Sequence, residues 1–187
     1  MLEGTVVFEG NYNEIDIIVR HVRRDDVERL QIFMNTLSKE QTFIMYQGKQ
    51  LTHEEEEKYV VDYMEKVEKG YGIKLLVFHN DILIGMGDIT RSLFEPESHV
   101  GTFGLMIAKE WRGKGLGSFL MDKTLEETKK YMVGLKIVRL GVFENNPIAE
   151  NMYKRKGFVQ YGNLPNGLLH RGEYVDHIYM YKLLAKS

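Results

Sequence analysis

The stretch that most constrains this chain is Arg112-Gly113-Lys114-Gly115-Leu116-Gly117, because it joins two kinds of periodicity. Before it, His99 to Ala108 reads as a strand; after it, Leu116, Phe119, Leu120, Leu125 and Met132 recur at helical spacing. A strand that turns through three glycines into a helix presents several backbone N–H groups at the positive end of the helix dipole, with no side chains to block an anion. Two readings follow: a glycine-rich turn with solvated Arg112 and Lys114, or a pyrophosphate cradle built from the amides of Arg112, Gly113, Lys114, Gly115, Leu116, Gly117 and Ser118. Other phosphate loops fail residue by residue. A dinucleotide GxGxxG would need glycine at Ser118 or at Leu120, and a Walker loop would need Gly-Lys-Ser or Gly-Lys-Thr after four residues.

Composition narrows the partners. A chain of 187 residues, 43% hydrophobic and 28% charged, suits one soluble domain spanning 1–187. A net charge of -2 argues against nucleic acid as a partner, since polyanion binders carry a strongly basic face. The absence of cysteine excludes disulfides, a cysteine nucleophile and thiolate metal sites, and fits a cytoplasmic protein. Met1 to Gly10 lacks the basic-then-apolar pattern of a secretory signal, and no apolar run approaches the roughly 18 residues that span a bilayer, so no membrane is expected. The six histidines show no metal-ligand spacing, and no metal is expected.

In chain order, Glu14 to Val22 predicts an opening strand, with Thr5 to Phe8 as an extra edge strand or a tail within residues 1–13. Asp25 and Glu28 resemble a capping box for a first helix along Val27, Leu30, Met34 and Leu37; Thr52 and Glu55 do the same for a second along Val60, Tyr63, Met64 and Val67. Between them, residues 38–51 have no clean period. Glu54 to Glu57 place four carboxylates in the second helix's first turn, where the dipole favours them; a solvated helix start and a cation-binding patch are both readings of that run. Ile73 to Phe78 and Ile82 to Thr90 form a hairpin around Asn80-Asp81, with Gly85 and Gly87 marking a bulge or a close backbone approach. The third helix carries an exposed Glu126–Lys130 pair, and Gly134 ends it. Lys136 to Phe143 is a strand, and Asn146-Pro147 starts a short helix with Ile148, Ala149, Met152 and Tyr153 on one face. Two final strands, Phe158 to Tyr161 and Tyr174 to Leu183, flank a link at Asn163 to Gly172 that contains the turn residues Pro165-Asn166-Gly167. The result is an α/β chain, β-α-α-β-β-β-α-β-α-β-β.

Two motifs in register on those elements resemble the GCN5-related N-acetyltransferases. Arg112, Gly115 and Gly117 match the family's cofactor motif, an Arg or Gln, two residues, Gly, one residue, then Gly or Ala; Asn146, Ala149, Tyr153, Gly157 and Phe158 match its second motif. The resemblance spans residues 100–158, and the elements outside fit it too. It implies an α+β mixed sheet with splayed central strands, in which the backbone of Leu105, Met106 and Ile107 leaves the strand Ile137 to Phe143 and pairs with the pantetheine arm of acetyl-CoA. It also implies a CoA pyrophosphate on the loop, Asn146 as a cofactor contact and Tyr153 as the acid that protonates the departing thiolate.

A neutral amine must attack the thioester, yet an alkylamine has a pKa near about 10.4, so a base or desolvation has to remove a proton. A backbone amide near Leu105 or Met106 would stabilise the oxyanion. Glu95, Glu97, His99 and Glu144 are the base candidates, and a water chain is the family's alternative. The acceptor, a small-molecule amine, a polyamine or a peptide or protein amino terminus, would lie between residues 38–57 and 163–172; Glu54 to Glu57 and Tyr46 suit a cation if they face the cleft. The ending Arg171 to Met180 is similar to members that acetylate ribosomal protein termini or small amines. Lys114, Arg155 and Lys156 are candidates for the CoA 3′-phosphate, with surface solubility as the other reading. The resemblance leaves a homodimer open. A non-catalytic acyl-CoA sensor or interaction domain, and a nucleotide module unrelated to CoA, are the competing readings.

Overall fold

The computed structural model describes residues 2–184. Strand β1 (Val6–Tyr12) and strand β2 (Ile15–His21) form a hairpin turned by Asn13 and Glu14, both at positive φ (48° and 69°). The N-terminal segment is therefore a strand, extending well past Phe8.

Helix α1 (Val27–Lys39) begins after a short 3₁₀ turn, Arg24–Asp26, rather than at an Asp25 cap. Burial explains the difference. Asp26 is enclosed, taking Arg20 on both carboxylate oxygens (2.6 and 2.8 Å) and the Arg23 amide (2.7 Å), and so fixes the entry to the helix. Helix α2 (His53–Glu68) has the expected capping box: Glu55 N–H donates to Thr52 Oγ1 (3.2 Å) and Thr52 N–H to Glu55 Oε2 (2.9 Å).

Strands β3 (Gly72–His79) and β4 (Ile82–Arg91) make the hairpin around Asn80-Asp81, both in the left-handed region. Strand β5 (Val100–Ile107), helix α3 (Leu116–Tyr131), strand β6 (Ile137–Phe143), helix α4 (Pro147–Arg155), strand β7 (Val159–His170) and strand β8 (Glu173–Leu183) complete the chain. The eight strands form one sheet, ordered β1-β2-β3-β4-β5-β6-β8-β7. Every neighbouring pair is antiparallel except β5 and β6, whose parallel pairing needs the crossover that α3 provides.

Each sheet face has its own core. Leu30, Met34, Val60 and Met64 of α1 and α2 pack on Leu76, Phe78 and Met86. On the other face Leu116, Leu120 and Leu125 of α3 and Tyr153 of α4 pack on Leu75, Ile89, Val138 and Met180. The glycines of β4 serve both expected purposes. The β3–β4 register shifts between Val77, opposite Gly85, and Phe78, opposite Leu83; a Cβ on Gly87 would lie 2.7 Å from Thr124 Oγ1, so α3 rests almost directly on the strand.

Two further expectations are corrected. Residues 163–170 are strand, not link: β7 pairs with β8 to Leu164, bulges, and resumes at Leu168. Asp176 absorbs the turn residues in place, accepting from Asn163 Nδ2 (2.7 Å) and the Asn166 amide (2.9 Å), and the chain reverses only at Arg171-Gly172, both at positive φ. On α3, Lys130 pairs with Glu127 (2.6 Å) rather than Glu126, which takes Lys123 (2.9 Å). Glu127 is buried, also meets His21 Nε2 (2.8 Å), and is the stronger draw for the lysine.

The feature that positions the site is a gap. β5 and β6 pair only at Val100–Ile137, Gly101–Val138 and Thr102–Arg139. Beyond them β5 keeps β4 and β6 keeps β8, so from Phe103 to Ile107 one edge of β5 has no strand partner. The central strands are splayed.

Candidate active site

The loop sits at the open end of the splay. After β5, residues Lys109–Trp111 make one 3₁₀ turn, and Gly113 and Gly115 then take left-handed conformations (φ 75° and 80°). Gly115 is the residue before α3, and the first amide to reach a carbonyl of that turn is Phe119's, on Gly115 O (3.1 Å). The amides of Leu116, Gly117 and Ser118 precede it and have no intrahelical acceptor, which is the arrangement that binds anions.

The β1–β2 turn braces this loop from outside. Asn13 Nδ2 donates to Lys114 O (3.0 Å), and a Cβ on Gly115 would approach the Tyr12 hydroxyl to 2.9 Å. Arg112 is tied down by Nε to Ile107 O (2.8 Å) and by Nη2 to Glu40 Oε2 (2.8 Å); Lys114 Nζ lies 5.0 Å from the Trp111 ring centre. Of the other basic candidates, Lys156 is engaged by Asp122, and Arg155 is exposed on α4.

Tyr153 is brought beside the splay by α4. Its ring packs edge-on against Phe103 (6.4 Å between centres), where β5 leaves β6, and lies tilted against Phe158 (6.0 Å). Burial pushes its hydroxyl up to about 12, so it stays protonated at neutral pH and is a donor. Asn146 is the N-cap of α4: its Oδ1 accepts from the Ala149 amide (3.3 Å), which leaves its amide group as the part free for a ligand. The base candidates separate. Glu97 is held by Arg139 (3.2 Å) and Ser92 (3.1 Å), and with Glu95 and His99 it stands at the closed end of the splay; Glu144 is exposed at the open end, just past β6.

The regions expected to border the acceptor meet each other. Asn145 Nδ2 donates to His170 Nδ1 (3.0 Å), so His170 Nε2 carries the proton and donates to Gln41 O (2.9 Å); Phe43 lies on the same imidazole. The end of β7 thus anchors the link between α1 and α2. Of the four carboxylates in Glu54 to Glu57, Glu55 and Glu56 line a cavity of about 240 Å³ on the α1/α2 face, together with Tyr46, Tyr59, Asp88 and Met106. A larger cavity of about 390 Å³, between Leu2, Met64 and Tyr131, contains none of the motif residues, and its position gives it no part in the chemistry.

The sequence reading missed Asn13 and the Lys74–Asp88 pair. Both charges of that pair interrupt apolar strands and stand opposite each other in the β3–β4 register, with Lys74 Nζ 3.3 Å from Asp88 Oδ1. A charge inside each strand of one hairpin was the available signal.

The Acetyltransferase (GNAT) family model matches residues 34–158. The chain belongs to the GNAT acetyltransferase family. Among curated relatives it is 28% identical over 173 residues to the L-amino acid N-acetyltransferase AaaT of Escherichia coli, covering 88% of this chain and 96% of that one. It is 33% identical over 104 residues to the spermidine N(1)-acetyltransferase of Vibrio cholerae, covering 56% of this chain and 58% of that protein. A solved GNAT acetyltransferase from Streptococcus pneumoniae superposes with a TM-score of 0.81 at 27% identity, over 90% of this chain and 99% of the other. No helix among the described residues is long and apolar enough to cross a membrane.

Proposed function

We propose that this GNAT protein transfers acetyl directly from acetyl-CoA to a primary amine of a small molecule, a polyamine or a protein amino terminus. The observation that carries the reading is the unpaired edge of β5 from Phe103 to Ile107, which leads straight into the Gly113–Gly115 loop at the head of α3. A pantetheine arm is peptide-like and long enough to need such an edge, and its pyrophosphate needs such a loop.

In this reading Leu105, Met106 and Ile107 lend backbone groups to the arm, and the amides from Arg112 to Ser118 hold the pyrophosphate. The free amide group of Asn146 steadies the cofactor. The amine nitrogen attacks the thioester carbonyl: a C–N bond forms, the carbonyl oxygen takes up negative charge beside a β5 amide, and the C–S bond then breaks. The CoA thiolate takes the proton of Tyr153 Oη, and the nitrogen's surplus proton, passed on through water, restores the tyrosine hydroxyl. With no cysteine in the chain, an acyl-cysteine intermediate is excluded.

The test is CoA-thiol release across an amine panel. Tyr153→Phe is expected to lower kcat by about 10²-fold, the usual size for a lost general acid. Because burial lifts the Tyr153 hydroxyl to about 12, the wild-type kcat should show no falling limb at the ordinary tyrosine range near about 10. Unchanged turnover in Tyr153→Phe would remove the tyrosine from the mechanism.

A further inference from the structure

The cavity on the α1/α2 face has an unbalanced charge. Three of the residues that line it are carboxylates, Glu55, Glu56 and Asp88. Glu55 is paired with Lys49 (3.0 Å) and is engaged in the α2 cap. Asp88 is paired with Lys74, which is only 1% exposed. Burial alone would pull that lysine down, but the charge of Asp88 and the Tyr59 hydroxyl beside it outweigh burial and hold it as the ammonium. Glu56 is 3% exposed, lines the cavity, and has no hydrogen-bond or ion-pair partner among the described residues. Burial raises its carboxyl, with the field of Lys74 opposing.

The rest of the lining specifies what the missing partner looks like. Tyr46 and Tyr59 offer aromatic faces, which attract cations. Met34, Met86 and Met106 offer a soft apolar surface that suits an alkyl stem. Met106 also belongs to the freed stretch of β5, so the cavity adjoins the strand assigned above to the thioester.

Resting on the acetyltransferase reading above, we propose that this cavity seats a second, non-reacting ammonium of the acceptor, making alkyl diamines and polyamines the preferred substrates. The chemistry decides between the two nitrogens. A carboxylate stabilises the ammonium form of its partner, whereas the attacking nitrogen has to be neutral. The pocket therefore suits the nitrogen that does not react. It disfavours an amino acid zwitterion, whose carboxylate would face Glu56 and Asp88.

The experiment compares α,ω-diaminoalkanes with n-alkylamines of matching length and with neutral L-amino acids, on wild type, Glu56→Gln, Glu56→Asp and Glu57→Gln. Glu57 is exposed on the same turn and serves as the charge control. In wild type kcat/KM should favour the diamine by about 10-fold or more, the size of one hydrogen bond to a buried charge. That ratio should collapse in Glu56→Gln through KM for the diamine, recover in part in Glu56→Asp, and stand in Glu57→Gln. Equal use of diamines and monoamines, a preference for amino acids, or a ratio that survives Glu56→Gln would overturn the proposal. Direct titration of a diamine into the CoA-bound protein gives an independent readout. If nothing is acetylated, weaker diamine binding in Glu56→Gln still supports the pocket while the transfer reading fails; equal binding in the two proteins sinks the pocket.

Discussion

At the head of α3 the groups that would meet an anion are peptide amides, presented by two left-handed glycines and flanked by Arg112 and Lys114. Beside α2 the groups that face the cavity are side chains, delivered by α1, the following link, α2, β4 and β5. The two places differ in what each one fixes. The loop depends on backbone conformation at a few consecutive positions, so it should tolerate most side-chain changes. The cavity depends on side chains from five segments, so it should tolerate changes of conformation anywhere except where those segments cross.

The largest expected effect tests the side-chain half of that contrast. Asp88→Asn leaves Lys74 buried without its counter-charge, and removing one partner of a buried pair costs about 3–5 kcal/mol. Urea unfolding should show that loss, and Lys74→Met added to Asp88→Asn should recover much of it. Lys114→Ala, in the exposed loop, should move the urea midpoint hardly at all. Should Asp88→Asn lose less than about 1 kcal/mol, the Lys74 ammonium has access to water and the cavity is less enclosed than its burial indicates.

Next in size is a pair of glycine substitutions two residues apart. Gly115→Ala places a side chain at φ 80°, at about 1–2 kcal/mol, with its Cβ 2.9 Å from the Tyr12 hydroxyl. CoA affinity should fall by about 10-fold as the loop shifts. Gly117→Ala is different. A Cβ there finds only ordinary contacts, with Leu105 Cδ2 the nearest at 3.4 Å, and alanine inside a helix gains about 0.5–1 kcal/mol. Calorimetry with CoA on the two variants should therefore give opposite trends, and matching losses would mean that crowding, not backbone angle, governs the loop.

The same contrast explains what could be read before the structure. The loop, the α4 start at Asn146-Pro147 and the capping box at Thr52 are local, and each is legible because neighbours in sequence make the interaction. The cavity was half legible. The Glu54 to Glu57 run was visible, but which carboxylate turns inward depends on how α2 is rotated against β3 and β4, and only Glu56 is buried. Asp88 was hidden inside an apolar strand, and its lysine partner is fourteen residues away. Local turn chemistry also misled at Pro165-Asn166-Gly167, where Asp176 on the neighbouring strand holds the turn residues inside β7 as a bulge. The N-terminal hairpin went under-read for the same reason. Nothing near Asn13 reveals that its side chain will reach Lys114, one hundred and one residues on.

The smallest expected effect separates the two places by solvent access. Arg112 and Lys114 are exposed, whereas Glu56 is buried and its carboxylate has no partner among the described residues. The Debye length shrinks from about 10 Å at 0.1 M salt to about 3 Å at 1 M, so exposed charges lose their reach while a buried one keeps most of it. Across that range the dissociation constant of CoA should rise by about threefold to tenfold, and the KM of a diamine by less than about twofold. Measuring both on one preparation removes any general effect of salt on the fold. Parallel slopes would mean that the Glu56 carboxylate shares the solvent of the loop, and the division between a backbone site in water and a side-chain site out of it would give way to two surface sites of opposite charge.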